Sequence, residues 1–567
     1  MQTFRFVTVM SFPRKRESRE IFGFRVALCF PGMTSGSPIR MIICMGLCVL
    51  LLAAGCGRQQ QQSHPLPASL TLAVGGENPE GYDPTLGWGS YGNPLFHSTL
   101  LRRDADLNIV PDLATTWQLA ADRLTWTVTI WPDVVFADGS PLTARDVAYT
   151  FNTAAVAGGV LDLANLEKAE ALDDITVQLR LKQPDITFIH YLITLGIVPE
   201  RLHGPGYGRR PVGSGPYKLV RWDEGQQMVV EANPYYYGVQ PAIKRLIFLF
   251  SGEDAALAAA RAGKVDVLSV PSSLATREIP GMKLHVVKSV DNRGLMFPCL
   301  PDTGAKTPHG LAVGNDVTAD VAIRRAVNLT INRQALVNGV LEGFGRPAYG
   351  PVDDLPWDNP AIRFKDNDTE KAGILLTEAG WLDVDGDGVR EKDGIKAEFP
   401  IVYNATDSLR QGLALAVSDM LRPVGIRAVP RGENWDRIKN ELVHSTVVVF
   451  GFGGHSPLEM YKLFHSPGPE PSYWNGGFYT NGVVDGYLDQ ARAAASFADS
   501  IPLWQKAQWD GQTGFAVAGD APWAWLVNLN HTYFINQCLD VGRSQMEPHG
   551  HGWPITANIN EWQWTCE

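Results

Sequence analysis

The sequence predicts an α/β protein folded into lobes, not a barrel or a helical bundle. Three observations lead there. Runs of strand-like alternation interleave with one-faced helical stretches and Gly/Pro turns, with no internal repeat. The 567 residues leave about 510 once a leader is set aside, enough for two or three large cores. Hydrophobic content of 45% with scattered charge is globular, and beyond the leader no apolar run is long enough to span a bilayer.

The elements follow in order. Ser69-Leu70-Thr71-Leu72-Ala73-Val74 opens the fold as a strand. Leu124 to Ile130 and Ile175 to Leu181 alternate with period two and read as half-buried strands. Thr143 caps a helix expected to run through Phe151, with Asp146 at its third position favouring the N-terminal end. Glu253 to Ala262 is an alanine-rich helix closed by Gly263. Thr369 to Ala379 and Asp407 to Leu421 are further helices with one apolar face.

Ahead of these lies an export signal. Met41 opens an uncharged run, Ile42 to Ala54, preceded by Arg40 and ending Leu52-Ala53-Ala54-Gly55-Cys56, too short for a permanent membrane helix. The cysteine after Ala-Ala-Gly resembles the lipobox of bacterial lipoproteins, which implies lipidation of Cys56 as the mature N-terminus. Ala53 stands where leucine is usual. Residues 41–55 are then the signal peptide, and 56–67, with Gln59 to Gln62, a polar tether. Residues 1–40, with the basic cluster Arg14-Lys15-Arg16, resemble a translated repetitive DNA element. We expect the true start at Met33 or Met41.

Charge and cysteine content narrow the partners. With 49 basic and 60 acidic residues the net charge is −11, which argues against nucleic acid or anionic lipid. Of seven cysteines, Cys29, Cys44 and Cys48 leave with the leader and Cys56 goes to lipid. Cys299, Cys538 and Cys566 remain, with no C-x-x-C spacing. Cys538 with Cys566 is a candidate disulfide tying down the C-terminal tail in an oxidising compartment.

Several segments, in order, resemble the peptide/nickel family of bacterial extracellular solute-binding proteins, family 5, the receptors of ABC importers. They are Tyr82-Asp83-Pro84; Val110-Pro111-Asp112 through Trp117; Phe136-Ala137-Asp138-Gly139 through Val147; Val212-Gly213-Ser214-Gly215-Pro216-Tyr217; Ala232-Asn233-Pro234-Tyr235-Tyr236-Tyr237-Gly238; Ile323 to Asn328 with Asn332 to Leu336; and Lys371 to Leu376 with Ala379-Gly380-Trp381. Read physically they are scaffold, turns and helix starts rather than ligand contacts. The resemblance implies a type II-like periplasmic binding fold: two lobes with a hinge and an extra sub-domain in the first lobe. It places the first lobe at 68–290, the sub-domain at about 85–205, the second lobe at 291–529, and a C-terminal return to the first lobe at 530–567.

No enzymatic motif stands out: there is no Gly-x-Ser-x-Gly, phosphate loop, His-Glu-x-x-His or Rossmann glycine fingerprint. No cofactor is expected. Asp383-Val384-Asp385-Gly386-Asp387-Gly388 looks like a calcium loop, but Gly394 occupies the twelfth position where a bidentate acid is required, and a plain acidic turn is favoured. His455, His465, His549 and His551 are read as packing or hydrogen-bonding residues, not metal ligands.

Peptide-binding relatives set an acid before Asp-Pro against the peptide's amino group. The matching segment here, Gly451-Phe452-Gly453-Gly454-His455-Ser456-Pro457, has no such acid, and Glu459 is the candidate substitute. Trp88, Tyr91, Trp474, Asn475 and Tyr479 are candidate walls, with Phe452 and His455 from the matching segment itself, and Arg293 is the candidate for a ligand carboxylate. The resemblance implies a monomeric, lipid-anchored receptor in the cell envelope that hands oligopeptides to membrane permease subunits. Nickel chelates, or a sensing role for the same fold, are the alternatives.

Overall fold

The computed structural model describes residues 69–566 except 79, 92–94, 159–160, 469–472 and 551–552. The signal segment, Cys56 and His551 lie outside the described residues. Among those described, no helix is long and apolar enough to cross a membrane.

Two long antiparallel strands organise the molecule. Met282–Met296 and Trp523–Asn536 pair along nearly their whole length, and sheet grows outward from both. On one side follow Val267–Val270, Leu70–Ala73, Arg245–Leu249, Gln227–Ala232 and Tyr217–Asp223; on the other Val447–Phe450, Glu398–Asn404 and Arg427–Glu433. The chain thus forms two α/β lobes sharing a pair of crossing strands. The ladder between them is interrupted from Lys288 to Asn292. Such a bulge bends the strand locally.

A separate four-stranded antiparallel sheet includes Ala114–Leu119, Thr125–Ile130 and Thr176–Leu181. With the helix Ala144–Val156 it encloses its own core around Trp126, Val128, Phe151 and Phe188. That helix continues five residues beyond the expected Phe151, because the stretch to Val156 carries no glycine or proline, and it stops just before Gly158. Its start matches the expectation: the Asp146 carboxylate accepts the Thr143 backbone N–H at 2.9 Å. The other expected helices lie at Glu253–Arg261, Thr369–Glu378 and Ser408–Leu421, the last capped by Asp407 accepting the Arg410 N–H at 2.8 Å.

Parts of the segments that carry the family resemblance take up scaffold positions, while Pro111, Asp112, Pro216 and Tyr237 from them line the cavity between the lobes. A side chain at Gly213 would bring its Cβ within 2.1 Å of the Phe96 carbonyl, so only glycine lets these chains cross. Arg333 is fully buried and donates Nε to the carbonyls of Ala348 and Trp525, both at 2.8 Å, tying its helix to a crossing strand.

The tail is held by its own core, with Trp553 and Trp562 buried beside Tyr82 and Phe248, and by a disulfide between Cys538 and Cys566. The bridge closes a loop with a sequence separation of 28. Removing it through Cys538→Ser with Cys566→Ser is expected to cost about 3–4 kcal/mol from loop entropy. Urea denaturation followed by tryptophan fluorescence measures it.

Candidate functional site

A cavity of about 900 Å³ lies between the lobes. Tyr91, Arg103 and His190 wall it from one side, and His455, Glu459 and Trp474 from the other. The second wall is a tight loop followed by the helix Leu458–Phe464. Gly453 makes that loop possible: its φ of +144° suits glycine, and a Cβ there would lie 2.4 Å from the Val290 carbonyl. The loop is therefore pressed against the bulged crossing strand.

Glu459 is the most unusual group on the cavity. It is 8% exposed. Its Oε2 accepts the Gly453 N–H at 3.2 Å, while Oε1 is buried without a hydrogen-bond partner. Burial pushes its carboxyl up to about 7, against the Gly453 bond, which favours the charged form. Lys462 lies one helical turn further on, on the same face, with Nζ 5.2 Å from the Trp474 ring centroid. Trp474 stacks in turn on Phe452, with centroids 4.8 Å apart.

Two histidines bring neutral rings to the same space. Burial, with the positive Arg103 nearby, holds His190 well below the ordinary imidazole range and His455 at about 3. His190 Nδ1 and His455 Nε2 are buried and carry no hydrogen bond.

The remaining sequence candidates are placed elsewhere. Trp88 is buried among Tyr82 and Trp553, in the core of the first lobe. Asn475 fixes a local turn, its amide donating to the carbonyls of His465 (2.9 Å) and Tyr479 (2.8 Å), and it borders a second cavity. Tyr479 is buried and donates its hydroxyl to Asp520 at 2.9 Å. Arg293 is 7% exposed, bonds Asp291 through Nη1, and is not among the residues that line the cavity.

That pair belongs to a buried network at the strand bulge. Asp291 takes Arg293, His549 Nδ1 at 2.5 Å and His531 Nε2 at 3.3 Å. His531 Nδ1 meets Glu547 at 2.5 Å, and Tyr533 donates to the same carboxylate at 2.7 Å. Burial opposes charge on Asp291, but Arg293 and His549 outweigh it and hold its carboxyl well below the usual range. For His531 burial likewise opposes the imidazolium, yet Asp291 and Glu547 raise its pKa to about 9. A raised histidine pKa stabilises the fold fully below the unfolded value of about 6.5 and loses that contribution as pH climbs through 9. The urea midpoint is expected to fall between pH 7 and 10, and His531→Gln should flatten the fall.

In the acidic turn, Asp383, Asp385 and Glu391 bring oxygens within 4.8 Å of one another. Lys396 Nζ bonds Asp385 at 2.8 Å and Asp387 at 2.5 Å, supplying positive charge from within the protein.

Two α/β lobes sharing crossing strands, with a polar and aromatic cavity between them, define a solute-binding protein. The chain belongs to the bacterial extracellular solute-binding proteins, family 5, whose middle region matches residues 108–470. It is 33% identical over 498 residues to Protein XP55 of Streptomyces lividans, covering 84% of this chain and 87% of that protein. It is 27% identical over 425 residues to the oligopeptide-binding protein AppA of Bacillus subtilis, covering 70% and 75%. NikZ from Campylobacter jejuni, solved in complex with Ni(L-His), shares the fold at a TM-score of 0.74 and 23% identity, covering 88% of this chain and 99% of that one. The family is one of extracellular solute-binding proteins, and AppA is an oligopeptide-binding member of this set of relatives.

Proposed function

We propose that this chain is the solute receptor of an ABC importer, anchored by lipid at Cys56, monomeric, and delivering peptides or similar small amine-bearing solutes to membrane permease subunits. The observation that carries the ligand class is Glu459 Oε1, buried without a partner on the cavity wall. A buried carboxylate oxygen left open in this way is completed by a donor from the ligand. Lys462, three residues along the same helix face, offers the complementary charge for a carboxylate, and Trp474 and Tyr91 supply flat apolar walls. The similarity to an oligopeptide-binding protein supports the reading.

A second reading rests on His190 and His455. Neutral imidazoles with open nitrogens on one cavity suit a nickel chelate, and the fold is shared with a protein solved with Ni(L-His).

The test is thermal shift of the purified chain against peptides, amino acids, and nickel with and without histidine, since a ligand that binds only the folded state raises the melting temperature with concentration. Peptides or amino acids are expected to give the shift. A shift that requires nickel with histidine would favour the second reading, and no shift across the panel would contradict both.

A further inference from the structure

The two walls of the cleft touch through an ion pair that involves none of the groups assigned to ligand. Arg492 is the last residue of the helix Gly482–Arg492, whose apolar face packs Val484, Leu488 and Ala491 into the second lobe. Its guanidinium reaches across to Asp185, which belongs to the small four-stranded sub-domain. The side chains are 16% and 4% exposed, so the pair is largely removed from water.

Each half is organised by its own side before they meet. Asp185 Oδ1 accepts the Thr187 N–H at 3.0 Å and the Thr187 hydroxyl at 2.5 Å, which leaves Oδ2 for Arg492. The Arg492 guanidinium lies 4.3 Å from the Tyr461 ring centroid, and the Tyr461 hydroxyl donates to Asp489 at 3.0 Å. Separating the walls parts the ion pair and leaves both of its supports in place, and it also lifts Leu458 and Phe497 off the sub-domain core they pack against. Two further bonds run in parallel: Arg103 donates to the His455 carbonyl at 2.6 Å and Arg123 to the Ala493 carbonyl at 2.7 Å. Both are single guanidinium-to-carbonyl bonds, and the second is exposed.

We propose that Asp185 and Arg492 form a latch that holds the cleft closed before any solute is bound. Asp185, Arg492 and Tyr461 line a second cavity of about 800 Å³, which shares Tyr191, Leu458, Lys462 and Trp474 with the first. The latch therefore lies at the second cavity rather than at the anchoring wall. A closed state favoured in this way enlarges the binding-competent fraction and tightens apparent affinity for any solute. The inference rests on the two-lobe architecture and not on which solute is carried.

Small-angle scattering of the ligand-free chain tests it without a ligand. Arg492→Ala is expected to raise the radius of gyration and the longest dimension relative to the parent, and Arg492→Glu to raise them further by repelling Asp185. Pairing Arg492→Glu with Asp185→Lys restores opposite charges and should return the curve to that of the parent. Unchanged circular dichroism shows that each variant remains folded. Curves for Arg492→Ala and Arg492→Glu that superimpose on the parent would overturn the latch, as would a charge-swapped variant that stays as open as Arg492→Glu.

Discussion

Asp291→Ala is expected to destabilise the protein by about 3–5 kcal/mol, because it strips one carboxylate from a buried network and leaves cations behind. Arg293 and His531 both depend on it, and both are largely withdrawn from water, with side chains 9% and 13% exposed. The side chain also sits in the strand interruption between Lys288 and Asn292, where the ladder to the partner crossing strand lapses and the backbone bonds Glu547 and Phe452 instead. Asp291→Asn keeps an acceptor but removes the charge, so it should cost less and bring the His531 pKa down from about 9. Urea unfolding of both variants, with an NMR titration of His531, measures the two effects. A loss below about 1 kcal/mol for Asp291→Ala would mean that the site relaxes or admits water, and would contradict this account of the bulge.

Glu459→Gln is expected to weaken binding of an amine-bearing solute by about 2–4 kcal/mol, a loss of roughly 30- to 1000-fold. The amide is nearly the same shape but presents no charge to an ammonium group. The pH dependence provides an independent check. Burial raises the Glu459 carboxyl to about 7, so at pH 5.5 it is mostly protonated and must lose its proton to pair with a cation. Affinity is therefore expected to rise as pH increases through 7 in the parent, and to lose that step in Glu459→Gln. Titration calorimetry at several pH values reads both. A parent affinity that is flat with pH would remove Glu459 from the ligand contact.

The fold was legible because its signals are local. Strand alternation at 124–130 and 175–181, and the Thr143–Asp146 start, depend on residues adjacent in sequence, and these elements lie within a residue or two of expectation. Sites are assembled from remote segments and were legible only in part. Tyr91, His455, Glu459 and Trp474 lie on the cavity, while Trp88 and Tyr479 are buried in cores. An aromatic side chain that fills a core and one that lines a cleft are chemically identical, and only packing separates them. Arg293 was open to better reading. Asp291 precedes it by two residues, and in a strand such neighbours share a face, so the carboxylate beside it was a ready partner. Lys462 was also within reach, three residues after Glu459 on a helix. His190, Arg103 and the Asp185–Arg492 pair had no local signal, since their meaning comes from residues far along the chain.

The measurement that bears most directly on the central claim is a crystal structure of the chain with the strongest solute from the thermal-shift panel. The account places that solute in the cavity between the lobes, with a positively charged donor within hydrogen-bonding distance of Glu459 Oε1 and an aromatic contact to Trp474. A solute bound outside the cleft, or one inside it that leaves Glu459 Oε1 without a partner, would contradict it.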